Sequence, residues 1–235
     1  WGLLNLAYSH WNDSNYSRST DYAENCLDRM REIRHNKGIL DIQRLLGHQA
    51  ILRGDFGKAQ KILDESYEQS VSLISGNHQI ELLIQLALLT CIKDHDFAHA
   101  RSLLDNAQSL TDRLHAFPWF HAEAVRVLIA IERETYGDLP DLITSLLREP
   151  ALHTHPLFAT LAHIYTLKYN KRYEMCAEYL SALLSQDELA IGWLMEWDQI
   201  EQLKSRLADE LGDDFNQHWR IGKSISIKTI TNKLA

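Results

Sequence analysis

The chain has 235 residues, 45% hydrophobic and 24% charged, with a formal net charge of -8. This is the composition of a folded chain, not a disordered one, and the acidic balance excludes wholesale nucleic-acid binding, which needs a basic footprint. With 4 Pro and 10 Gly there are few breakers, so nearly the whole chain can be helical.

The chain opens on Trp1 and shows no signal-peptide pattern, as expected of a piece of a longer protein with further domains upstream. No apolar run reaches the roughly 18 residues of a membrane span. Cys26, Cys91 and Cys176 are widely separated, each in an apolar helical stretch. They are expected to be reduced core thiols of a cytoplasmic protein.

A turn followed by an aromatic residue or Leu recurs at Asn15-Tyr16, Asp55-Phe56, Asp96-Phe97, Asp138-Leu139 and Arg172-Tyr173. Its hydrophobic members are spaced 40, 41, 42 and 34 residues apart. Behind the turns come Ala59, Leu63 and Ser66, then Ala100, Leu104 and Ala107, then Cys176, Leu180 and Leu183. Each set falls on one helical face, where small residues let two antiparallel helices approach. Ahead of the turns, residues 39–53 are periodic as well, with Ile42, Leu45, Leu46 and Ile51. Residues 79–93 are apolar nearly all round, which implies burial on several sides. Residues 119–136 and 156–169 continue the alternation. Gly76-Asn77, Phe117-Pro118, Glu149-Pro150 and His155-Pro156 punctuate between hairpins.

Leu46, Gly47, Ala50, Gly54, Asp55, Phe56, Ala59, Leu63 and Ser66 resemble the tetratricopeptide repeat. Ala87, Leu88, Cys91, Asp96, Phe97, Ala100, Leu104 and Ala107 form a second copy without the glycines. The resemblance implies an all-α fold of about five tandem helix hairpins over residues 1–185 in a right-handed superhelix. A divergent helical cap over 186–235 would close it, because terminal repeats must cover their outer face. The period near 40 exceeds the family's usual 34 and implies longer helices. Such repeats look like the sensor arm of bacterial signal-transduction ATPases and of LuxR-type or cyclase-linked regulators. Leu211, Gly212, Asp213, Asp214, Phe215, Trp219 and Gly222 resemble the common ending of those regulators. The cap is expected to use helices over 187–197 and 198–211, with Trp193, Trp197, Phe215 and Trp219 sealing the last repeat. Ser226 should cap a short helix that puts Ile227, Ile230 and Leu234 on one face.

From Phe215 onward there is no Asp or Glu but Arg220, Lys223, Lys228 and Lys233. The tail is thus +4 within a chain of -8, leaving -12 on residues 1–214. It can clamp onto the acidic body or stand as a solvated basic end.

Little in the sequence carries chemistry. Gly222-Lys223-Ser224 resembles the end of a phosphate loop, but the position that should hold its leading Gly is Gln217 and no strand precedes it. Twelve histidines, among them His115, His121, His153 and His155, form no metal-ligand spacing. No nucleophile motif is present, so the chain is expected to be no enzyme and to hold no cofactor or metal. The first helix of each hairpin lines the family's groove. The resemblance places there Asp41, Arg44 and His48, then Leu82, Gln85 and Leu89, then Val127 and Ile131, and His163. Arg44 and His48 stand at two positions of the family's clamp for acidic peptide ends, but Leu86 occupies a third, so a chaperone-tail adaptor is not expected. The ligand would be a protein, a peptide or a small effector. Two roles remain open: a sensor arm joined to upstream switch domains, or a free-standing adaptor scaffolding protein partners.

Overall fold

The structure is a computed structural model describing residues 2–13, 15–116, 122–148 and 155–234. Phe117-Pro118, His121, Glu149-Pro150 and His153 lie outside the described residues, as does the His155 side chain. Every regular element among the described residues is helical. The chain divides into two compact units, Trp1–Ala122 and Glu123–Ala235.

The first unit holds α1 (Gly2–Asn12), α2 (Tyr16–Glu32), α3 (Asn36–Arg53), α4 (Phe56–Ser72), α5 (Gly76–Leu89) and α6 (Phe97–Leu114). Each helix packs on the next, and α3 also packs on α5. The recurring turn dipeptides mark the starts of α2, α4 and α6: Asn15, Asp55 and Asp96 directly precede them. The Asp96 carboxylate accepts the His99 backbone N–H at 2.9 Å, satisfying one of the unpaired donors of the first turn.

Small residues sit where helices cross. A Cβ at Gly47 would stand 2.7 Å from Leu63 Cδ2, so glycine is what allows α3 to lie against α4 there. Ala59, Leu63 and Ser66 of α4 are buried opposite, and the Ser66 hydroxyl donates to the Ile62 carbonyl at 2.6 Å. Ala59→Leu should therefore cost about 1–3 kcal/mol through overpacking. A variant melting at the wild-type temperature would remove Ala59 from the crossing.

Helix ends repeat one geometry. A left-handed residue ends the helix, and the next N–H bonds five residues back: Asp55 to Ala50, Ser75 to Ser70, Thr135 to Ala130 and Arg172 to Leu167. Of these four ends, only that at Gly54 (φ 85°) has the residue suited to the conformation. Arg34, Ile74, His95, His115, Glu134 and Lys171 adopt it with a Cβ. Ile74 is the extreme case, β-branched at φ 52° and 89% exposed. The left-handed penalty is about 1–2 kcal/mol and glycine's extra unfolded-state entropy about 0.5–1 kcal/mol. Ile74→Gly should then raise stability by about 0.5–1 kcal/mol in a denaturant titration; a loss would show that Ile74 packs on something.

Residues 80–89 are buried except Leu86, as their all-round apolarity requires. Where a continuous helix to Lys93 was expected, α5 ends at Leu89. The last turn widens into a π-helical turn, Thr90–Asp94.

The second unit holds α7 (Glu123–Glu132), α8 (Leu139–Arg148), α9 (His155–Tyr169), α10 (Tyr173–Leu184), α11 (Glu188–Met195), α12 (Asp198–Leu211), α13 (Phe215–Gly222) and α14 (Ile227–Thr231). Leu139 and Tyr173 again open second helices, α8 and α10. The α9 helix packs on α7, α8, α10 and α14 and is buried along most of its length. Residues 186–234 fold back on this pair. The Trp193 ring stacks on Phe158 at 5.4 Å and Trp197 lies 6.5 Å from Tyr165, so both tryptophans cover α9. The α13 helix crosses α10 so closely that a Cβ at Gly222 would fall on the Glu178 carbonyl oxygen. The tail forms the short helix that its Ser226 signals. That hydroxyl accepts the Thr229 N–H at 3.1 Å, and Ile227 and Ile230 are buried.

Candidate functional site

The i, i+3, i+7 spacing of Asp41, Arg44 and His48 places them on one face of α3. The α5 helix answers with His78, Glu81 and Gln85 at the same spacing, 37 residues on. Asp41 Oδ1 lies 3.0 Å from His78 Nε2. Arg44 forms an ion pair with Glu81. Gln85 Oε1 reaches Gly47, one residue before His48, at 3.6 Å from where a Cβ would stand. From the other side, Arg44 donates to the Tyr8 hydroxyl at 2.9 Å, and the Trp11 ring meets His48 edge-on at 5.9 Å. Three first helices, α1, α3 and α5, are thus joined by polar rungs with Arg44 at the centre.

This face is largely closed. The Arg44 and Glu81 side chains are 13% and 7% exposed. A buried ion pair roughly breaks even against its desolvation cost, so its main effect is to fix how the helices register. Burial pushes the Tyr8 hydroxyl's pKa up, partly opposed by the Arg44 charge. A second polar chain ties α2 to α3. Gln49 donates to Ser19, whose hydroxyl donates to the Ala7 carbonyl, and Thr20 bonds both Gln49 and Arg53.

His163 belongs to the second unit. It sits half-buried on α9, 5.7 Å from the Tyr179 ring of α10, and burial, then the Arg172 charge, lower its pKa. Lys233 of the tail lies 6.0 Å from the same tyrosine. A second aromatic cluster of this unit holds Lys168, 5.4 Å from Tyr136 and 5.2 Å from Tyr165. Burial lowers the pKa of this lysine as well.

All three cysteines are buried, and burial pushes the Cys176 thiol up to about 12. Lys223 and Ser224 are exposed beyond α13, the Ser224 hydroxyl turned back onto the Ile221 carbonyl. Among the described residues no group of His, Cys, Asp or Glu is placed to hold a metal ion. No described helix is long and apolar enough to cross a membrane.

His78, Glu81, Tyr8 and Trp11 were not singled out from the sequence. The signal was there, as charge-complementary pairs at a constant separation of 37. The turn spacing of 40–42 hides it, because α3 and α5 meet in a register different from that of the turns. No protein family, curated protein or solved structure matches the chain.

Proposed function

We propose that the chain is a ligand- or protein-binding regulatory repeat domain, the sensor arm of a larger signalling ATPase or transcription regulator. The observation that carries this reading is the ladder of first helices, in which Asp41 and Arg44 pair with His78 and Glu81 of the next first helix, His48 meets Trp11 of the previous one, and Gln85 faces Gly47. A face built from successive repeats changes shape when the repeats shift, which is how an arm of stacked hairpins can report a bound peptide or effector. The right-handed superhelix of the tetratricopeptide type belongs to this proposal, since it would make the first-helix side concave. The adaptor reading uses the same face without a switch domain.

Selecting phage-displayed short peptides on the purified chain, then mapping the winners by hydrogen exchange, tests the binding face. The account expects protection in α3 and α5. Protection confined to α2, α4 and α6 would place binding on the other side and overturn the assignment.

A further inference from the structure

Beside the ladder, the turn between α4 and α5 carries a second arrangement. Ser75 directly precedes α5, where a hydroxyl ordinarily caps the helix. It makes no such bond. At the position forty residues earlier, His35 does cap, accepting the Gly38 N–H at 2.9 Å. The Ser75 hydroxyl oxygen instead lies 2.7 Å from His78 Nδ1, and His78 Nε2 lies 3.0 Å from Asp41 Oδ1. An ionised carboxylate only accepts, so Nε2 carries a proton toward Asp41, and in the neutral imidazole Nδ1 then accepts from Ser75. Nucleophile, base and orienting carboxylate are connected in sequence, and such a set is recognised by geometry, not by chain order. The His78 side chain is 7% exposed, whereas Ser75 is only partly buried, at the edge. Around it stand exposed Leu73, Ile74 and Leu114, the last packed directly on Gly76.

We infer that Ser75 is an acylatable nucleophile, with His78 as its base and Asp41 as a positioning residue, acting on small esters with apolar acyl groups. This goes beyond the binding role and departs from the expectation that the chain does no catalysis. His78 Nδ1 takes the hydroxyl proton as the Oγ–acyl bond forms. The ester C–O bond breaks, and the proton passes to the leaving alcohol. Water then cleaves the acyl-serine, His78 again taking and returning one proton, and a carboxylic acid leaves. The Ser75 side chain caps none of the first-turn N–H groups of α5, which leaves those of Gly76 and Asn77 to serve as donors for the developing oxyanion.

The test treats the whole chain with a fluorophosphonate and with p-nitrophenyl butyrate. The inference expects phosphonylation at Ser75 by peptide mass and release of p-nitrophenol, both lost in Ser75→Ala. The melting temperature of that variant, measured alongside, separates lost chemistry from lost folding. His78→Gln should slow labelling about 100-fold or more. Asp41→Asn should slow it too, with Asp41→Glu restoring part. No phosphonylation of the wild type, or labelling unchanged in Ser75→Ala, overturns the inference and leaves the binding reading as it stands.

Discussion

Arg44→Ala should destabilise the chain by about 3–5 kcal/mol, the cost of removing one member of a buried ion pair. Glu81 is the residue left, its side chain 7% exposed. Tyr8 loses its donor in the same step. Replacing both charges by apolar side chains, Arg44→Met with Glu81→Leu, should recover most of the loss, because the desolvation cost disappears with the pair. If the single variant unfolds at the wild-type denaturant midpoint, the rung across α1, α3 and α5 does not hold the unit together. If the double variant is as unstable as the single one, the loss comes from packing and not from charge.

The second large effect is at the C-terminus. Deleting residues 213–235 removes α13 and α14, which cover α10 and α9. Ile227 and Ile230, 8% and 0% exposed, leave their seats, and Ser181 loses its bond to the Trp219 carbonyl at 2.7 Å. Two isoleucines at about 1.5–3 kcal/mol each, at roughly 2–4 °C per kcal/mol, correspond to a Tm drop on the order of 10 °C. Exposed apolar surface on α9 and α10 should also promote aggregation. A gentler form is Gly222→Val, which forces α13 off the Glu178 carbonyl and breaks the 2.8 Å His218–Glu178 contact without removing charge from the tail. A soluble truncation with an unchanged melt would return the tail to a solvated basic end.

Much of the architecture was legible in the chain. Turn dipeptides fall at helix starts, and Gly47 and Ala59 mark a crossing, because both signals are local and depend on backbone geometry and side-chain size. The Ser226 cap was readable for the same reason. The widening of α5 at Thr90 was not, since the missing glycine of that turn does not by itself signal a change of helical pitch. The candidate face was half legible. Family register named Asp41, Arg44, His48 and Gln85, but their partners depend on how α3 and α5 lean together. That lean rests on pairs 37 residues apart. Ser75 was invisible as a nucleophile because its base follows three residues later in an ordinary capping position, while its orienting carboxylate comes from the previous repeat.

The regulatory reading is tested most directly by sequencing the coding DNA immediately upstream of the Trp1 codon. The account predicts an open frame continuing into a nucleotide-binding domain, the switch that a sensor arm must control. An initiating Met close to Trp1, with no such domain in frame, would contradict the sensor arm and leave the adaptor as the role this scaffold serves.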